Sequence, residues 1–493
     1  MKKGYSMRAA YVLSAAVLSA LVIAGCKVGP DYKAPTTQVA VKWSEPLGQG
    51  PTTQPALNQL WWRRFNDPEL NSLVVRAARS NLDVKLAAAR VREARALRRL
   101  AGADEYPTVD VGGSYTHSRN TFGATGSSQS AASIPSPGVE YDLYRAGFDA
   151  SWEIDVFGGV RRNIEAATAD VQAAMEARNS ALVSLVAETA LNYVQLRGFQ
   201  ERLKIAQDNI HVQQQSLDLT RTKFQAGLIS ELDVSRAQAQ VAVTEAQIPS
   251  VEQSIRQTIH RLEVLLAVQP GALAEELSPA KAIPGTPPVV PIGIPSDVLR
   301  RRPDVRQAER NLAAATARIG FATADLFPKF SLTGSIGYQA TQFGNLGSNN
   351  NMYYSIGPGI TWPIFDAGRI RANIKIANAR QEEAFIQWQQ AVLQSLSDTE
   401  VALVAYTQEQ ARFQKLTEAV EANKRAVATS TQLYERGLGD FLNVLDAQRD
   451  LFASQDAEVV SRQTVSTNLV QLYKALGGGW EPESAATQPV ASR

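Results

Sequence analysis

The chain holds one cysteine, Cys26, and three histidines, His117, His211 and His260, among its 493 residues. Catalysis would need such groups to converge with partners, and these do not. The histidines are scattered without metal-ligand spacing, and the chain carries neither a nucleophile elbow nor a phosphate-binding loop. No enzymatic or metal site is expected. His211 and His260 fall in helical stretches as solvated or packing residues, and His117 falls near a strand end as a hydrated loop position. Cys26 stands apart because of what precedes it. Lys2, Lys3 and Arg8 make a basic start, residues 9–23 are almost wholly apolar, and Ile23, Ala24 and Gly25 supply a small-residue cleavage site. That is the layout of a secretory signal, too short and too near the terminus for a spanning helix. Met7 also opens a complete signal and is an alternative start. Cleavage after Gly25 makes Cys26 the first mature residue; the competing reading is a buried spare thiol.

The apolar-small-small-Cys box resembles that of bacterial lipoproteins. The resemblance implies that Cys26 carries covalent lipid and that no other cofactor is needed. Lys27 stands where an aspartate is the lipoprotein signal for staying in the inner membrane, which implies the outer membrane.

Composition limits the partners. Charged residues make up 20%, hydrophobic ones 44%, and the net charge is +2. Without a basic cluster the electrostatic footprint of a nucleic-acid binder is missing, and a single cysteine forms no internal disulfide. Beyond the signal no apolar run reaches about 18 residues, so any further membrane passage must be made by strands.

The elements that would make that passage occur twice. "DVKLAAARVREARALRRLAGADEYP" (83–107) aligns without gaps with "DVRQAERNLAAATARIGFATADLFP" (304–328), sharing nine of 25 positions. "WEIDVFGGVRRNI" (152–164) aligns with "WPIFDAGRIRANI" (362–374), and "FQAGLISELDVSRAQ" (224–238) with "YERGLGDFLNVLDAQ" (434–448). The offset is 221 before the first tryptophan and 210 after it, so the first copy carries about 11 extra residues between Pro107 and Trp152. A tandem duplication of one structural unit is expected.

Each copy alternates apolar and small polar residues between its proline and its tryptophan. In the second copy Phe330, Leu332, Ile336 and Tyr338 alternate with Ser331, Thr333, Ser335 and Gly337, and Tyr354, Ile356, Ile360, Trp362 and Ile364 follow the polar loop. Val109, Val111, Tyr115, Tyr144, Phe148, Trp152 and Ile154 do the same in the first copy, around a Ser- and Gly-rich stretch at 118–138. Strands of about 10–14 residues can cross an outer membrane at a slant. A soluble sheet with one wet face would show the same alternation. If the strands do span, one chain cannot close a barrel, because the smallest closed membrane barrels need about eight, and several chains must pool theirs. The rest is helix. From Val160 to about Phe224 no proline intervenes, giving a rod of roughly 100 Å with Leu196, Phe199, Leu203, Ala206 and Ile210 at coiled-coil spacing. Gly227 turns the chain, and residues 230 to about 268 run back; the second copy repeats this from Arg369, turning at Gly437. Ser296 is placed to cap a short helix after the linker.

The lipid-box cysteine, "VGPDYKAP", "WWRRFNDPEL", the duplicated unit, "IPSDVLRRRPDVRQAE" (294–309) and "GDFLNVLDAQRDLF" (439–452) together resemble the outer-membrane efflux lipoproteins, the TolC-like channels of the resistance-nodulation-division branch. The resemblance implies a mainly α fold with membrane β: a homotrimer whose twelve strands close one barrel above a hollow periplasmic cylinder of helices. It implies a passive exit duct for drugs or other small toxic molecules, partnered by a periplasmic adaptor and an inner-membrane pump. A periplasm-spanning stalk without transport is the alternative. The expected boundaries are a signal at 1–25, a first repeat at 26–269 (strands about 107–118 and 141–155, hairpin about 159–268), a belt linker at 270–295, a second repeat at 296–476 (strands about 328–340 and 352–365, hairpin about 369–476) and a frayed tail at 477–493. By motif, Asp446 and Asn443 take the positions of the carboxylates that ring the periplasmic mouth, with Asn443 departing from the doubly acidic pattern. Tyr434 and Asp233 match residues that hydrogen-bond across helix pairs to hold that mouth shut, although Leu232 and Gly439 replace other members of the network. Gly227, Leu228, Gly437 and Leu438 are the hairpin tips that would meet the adaptor.

Overall fold

The computed structural model describes residues 27–37, 39–48, 50–54, 60–120 and 139–480; the signal, Cys26 and the loop at 121–138 lie outside the described residues. In chain order the elements are β1 (Pro51–Thr52), α1 (Pro68–Ser80), α2 (Leu82–Ala103), β2 (Thr108–Asn120), β3 (Val139–Ile154), α3 (Gly159–Gln225), α4 (Glu231–Glu245), α5 (Ile248–Leu265) and α6 (Ala274–Leu277). They continue with β4 (Val290–Pro291), α7 (Pro295–Arg301), α8 (Pro303–Ala324), β5 (Lys329–Ala340), β6 (Met352–Thr361), α9 (Arg369–Glu435) and α10 (Phe441–Ala475). The duplication is read directly in these bounds. Helices α2 and α8 have 22 residues each and start 221 apart, and α3 and α9 have 67 each and start 210 apart. Among the described helices none is long and apolar enough to cross a membrane.

Two departures from the repeat have local causes. The return leg of the first hairpin is broken between α4 and α5, where Pro249 sits at the start of α5. Proline has no N–H to give to the preceding turn and its ring crowds that turn's carbonyl, whereas the second copy has Val459 there and α10 runs unbroken for 35 residues. Ser296 is no cap: it lies inside α7, and the Asp297 carboxylate instead accepts from the Ile294 amide at 3.4 Å.

The chain divides into two units. One comprises Met1–Ala34, Glu93–Val171 and Arg310–Phe385. It holds a four-stranded antiparallel sheet in the order β2-β3-β5-β6, with Thr108 opposite Ser151, Ser151 opposite Thr333 and Thr333 opposite Gly357. At the centre Gly147 faces Gly337. A Cβ on either would stand within 2.6 Å of a backbone oxygen of the other strand, and the Tyr353 hydroxyl lies 3.0 Å from the one at Gly147. Only glycine allows this approach.

The other unit comprises Pro35–Arg92, Gln172–Glu309 and Ile386–Arg493. "WWRRFNDPEL" proves to be the seed of its core. A 3-10 helix at Trp61–Phe65 buries Trp61, Trp62 and Phe65, and Asp67 caps α1 by accepting from the Glu69 and Leu70 amides. Trp61 stacks on Tyr473 at 5.2 Å, within a cluster that includes Leu70, Leu73, Leu196, Leu262, Leu403 and Leu469. Arg197, fully buried, ties this core to the linker by donating to Gln200 Oε1 at 2.6 Å, the Pro279 carbonyl at 2.9 Å and the Glu69 carboxylate, which Lys281 also meets at 2.8 Å. Burial opposes the charge on Glu69, yet the Lys281 hydrogen bond and the Arg197 guanidinium hold its pKa below the usual range. "RRRPDVR" acts alike: Arg302 donates to Asp304 at 2.6 Å, Asp398 at 3.0 Å and the Ala475 carbonyl at 3.2 Å. The expected fraying at 477 is corrected for its first residues. Gly477, Gly478 and Gly479 are buried, and Arg306 lies over the Trp480 ring at 5.3 Å; residues 481–493 lie outside the described ones.

Candidate functional site

The strand register sorts side chains onto two faces. Partners across strands share a face, so Val111, Phe148, Ile336 and Tyr354 form one rung while Asp110, Asp149, Ser335 and Ser355 form the next, on the opposite side. The apolar rung is 48–78% exposed in the single chain, and the polar one carries a 2.8 Å hydrogen bond between Ser335 and Ser355. The apolar face ends at its helix-proximal side in two tryptophans. Trp152 Nε1 donates to the Glu105 carbonyl and Trp362 Nε1 to the Leu326 carbonyl, both at 3.0 Å, so the duplication repeats the contact. Such indoles keep one apolar body in lipid and one satisfied N–H at the boundary, as in the aromatic girdles of membrane barrels. At the other end the same face turns polar: Asp142 is 2.8 Å from His117 Nδ1 and accepts from Tyr115 Oη at 2.9 Å, and Arg119 pairs with Glu140 at 3.6 Å. His117 is therefore a strand residue with a partner and not a loop position. Among the described residues β2 and β6 each pair on one side only.

The hairpin tips are built alike. Gly227 and Gly437 adopt φ values of 71° and 73°, which glycine takes without the Cβ penalty. The Leu228 amide donates to the Lys223 carbonyl and the Leu438 amide to the Leu433 carbonyl, both at 2.9 Å, and each leucine is 72% exposed. Beneath them Leu217, Ala237, Val241, Tyr434, Phe441, Val444 and Leu445 form a small core. Asn443 and Asp446 are exposed on one side of α10 while Val444, Leu445 and Gln448 are buried on the other. Among the described residues Asp446 approaches the cation of Arg449, at 3.9 Å on the same helix, whose Nε donates to Gln240 at 2.7 Å. Tyr434 is buried against Phe441, and its hydroxyl has no hydrogen-bond partner among the described residues. Asp233 approaches Arg236 of its own helix at 3.9 Å. Burial, with the Asp233 carboxylate second, pushes the Tyr434 pKa up. Lys223 is the tip residue that motif reasoning passed over. Its Nζ donates to the Tyr434 carbonyl at 2.7 Å and sits 4.0 Å over the Tyr434 ring.

A sheet with an exposed apolar face and two open edges, in a chain of duplicated 67-residue helices, is matched by the family model described as outer membrane efflux protein, over residues 73–268 and 294–478. The chain belongs to the outer membrane efflux protein family. It is 34% identical over 475 residues to nodulation protein T of Rhizobium leguminosarum bv. trifolii, covering 94% of this chain and 97% of that protein. It is 32% identical to the antibiotic efflux pump outer membrane protein ArpC of Pseudomonas putida, covering 98% of each. Among solved structures, the outer-membrane channel OprN is similar with a TM-score of 0.86 and 37% identity, over 93% of this chain and 100% of that one. This efflux protein is thus an outer-membrane exit channel with helical and strand parts of the family's fold, and the family is one of transport channels.

Proposed function

We propose that three copies of this efflux protein close one barrel and serve a tripartite system, receiving drugs or other small toxic molecules from an inner-membrane pump through a periplasmic adaptor. The open edges of β2 and β6 carry this reading. Unpaired backbone groups are not tolerated against lipid. Because β2 and β6 run in opposite directions, β6 of one copy can add β2 of the next as another antiparallel rung, with the apolar rungs outward and the Asp149 rungs toward the lumen. Leu228 and Leu438, equally exposed on glycine turns, supply two similar apolar knobs for the adaptor. Acylated Cys26 anchors each copy beside the barrel. Asp446, with Asn443 one turn before it, lines the periplasmic mouth as a single carboxylate per copy. Tyr434 and Asp233 lie at the tip that must move when the mouth opens. Purified protein should run as a heat-sensitive trimer on mild-detergent gels and give discrete conductance steps in planar bilayers. A monodisperse monomer without conductance would refute the shared barrel.

A further inference from the structure

The residues that follow Cys26 are held far more closely than a tether requires. Arg162, in the first turn of α3, is fully buried. It donates to the Val28 carbonyl at 2.9 Å, the Gly29 carbonyl at 3.0 Å, Asp31 Oδ1 at 2.9 Å and Glu165 Oε2 at 2.9 Å. Glu165 also meets Lys27 Nζ at 2.5 Å, and the Val28 amide donates to the Phe157 carbonyl at 3.1 Å. Gly29, at φ 84°, passes Gly320 of α8 so closely that a Cβ would stand 2.4 Å from the Gly320 Cα. Tyr32 then packs against Ala169, Ala313 and Ala314, with Arg310 over its ring at 5.5 Å. A buried guanidinium is costly unless its donors are met. Here three of the four acceptors belong to residues 28–31, two of them backbone carbonyls, so the seat of the segment and the charge of the helix depend on each other. Phe157 lies three residues past the end of β3, and Cys26 lies two residues before Val28, at most about 7 Å of chain.

We propose that Arg162 is a positioning residue for the membrane anchor: it seats residues 27–31 so that the acyl chains on Cys26 enter lipid at a fixed place beside the base of β3, coupling anchoring to barrel insertion. This rests on reading Cys26 as lipidated. The test first labels full-length wild type with palmitate; absence of label removes the lipoprotein reading and this proposal with it. With label present, Arg162→Met is crossed with Cys26→Ser, and heat-sensitive trimer in outer membranes is measured. The acylated Arg162→Met protein should lose most of its trimer, while Cys26→Ser should lose nothing further on adding Arg162→Met, since the clamp then has no anchor to place. Equal proportional losses in both backgrounds, or none in the acylated protein, would overturn the proposal. Gly29→Val leaves Arg162 in place but forbids the close pass, and should reproduce the loss; wild-type trimer in that variant also counts against the clamp. If Cys26→Ser alone abolishes trimer, the decision passes to a nitroxide on Pro30→Cys. It should be immobile with Arg162 present and mobile with Arg162→Met, and equal mobility in the two overturns the idea.

Discussion

Replacing Lys223 by methionine keeps the aliphatic stem and removes the ammonium that closes the second hairpin tip. Two interactions go: the 2.7 Å hydrogen bond to the Tyr434 carbonyl and the contact 4.0 Å above the Tyr434 ring. A hydrogen bond from a charged group contributes about 1.5–3 kcal/mol and an exposed cation–π contact about 0.5–1. Lys223 is only half-buried, so water recovers part of both and a net loss of about 1–2 kcal/mol is expected, a factor of about 5–30 in a local equilibrium. The Gly437 amide bonds the same Tyr434 carbonyl at 3.1 Å, and the Leu438 amide bonds Leu433. Hydrogen exchange followed by mass spectrometry on peptides spanning 433–440 should therefore speed up by that factor in Lys223→Met. Exchange at Gly227 and Leu228 should hardly change, because their turn uses the backbone of residues 223 and 224 and not the ammonium. Equal acceleration at both tips would mean general loosening, and no acceleration at 433–440 would mean that Lys223 does not close the tip.

Asp446→Ala should raise single-channel conductance and weaken cation selectivity, whereas Arg449→Ala, by removing the cation 3.9 Å away, should strengthen it; reversal potentials in a salt gradient read both. Arg197→Met leaves part-buried Glu69 with Lys281 as its remaining charge partner, and should cost about 1.5–3 kcal/mol for the lost charged hydrogen bonds, seen as a lower unfolding midpoint in detergent that Arg197→Lys partly restores. Glu263 is buried and accepts from His260 Nδ1 and from the Gly271 and Leu273 amides at 2.8, 2.8 and 3.0 Å. Burial opposes its charge, but these bonds hold its pKa below the ordinary 4.5. Its contribution is thus complete above that value and lost as pH falls through the lower folded value. Glu263→Gln should flatten the acid limb of the melting temperature against pH.

What the sequence disclosed follows from periodicity. The strands alternate with period two and the helices repeat at offsets of 221 and 210, so their existence and pairing needed no side-chain geometry. What it hid are contacts between positions the duplication does not relate. Lys223 aligns with Leu433, so one tip has an ammonium where the other has a hydrocarbon, and the carbonyl it meets belongs to the opposite copy. Arg162 reads as an ordinary helix charge in a chain with 50 basic residues, and Arg302 as one arginine of the "RRRPDVR" motif; only their burial against carbonyls far along the chain shows what they hold. Pro249 was visible, but the unbroken second copy masked its effect. His117 took its partner from the facing strand, a register that alternation alone does not fix.

The stagger of the sheet has a geometric consequence. Following one rung of cross-strand partners from Thr108 at the base of β2 through Ser151 and Thr333 leads to Gly357, which lies four residues above Thr361 at the base of β6. Four residues rise about 13 Å along a strand while three strand spacings cover about 14 Å across the sheet. If the strand bases lie level, as at a membrane surface, the strands lean about 40° from the normal, within the tilt of closed membrane barrels. At that lean the shortest strand of this sheet, β6 with its ten residues, rises about 25 Å, the height of an outer-membrane apolar band. Each copy thus arrives with the obliquity of the finished cylinder already set by its internal pairing. A one-residue slip between β3 and β5, where Gly147 meets Gly337, would both change that angle and turn the apolar rungs toward water.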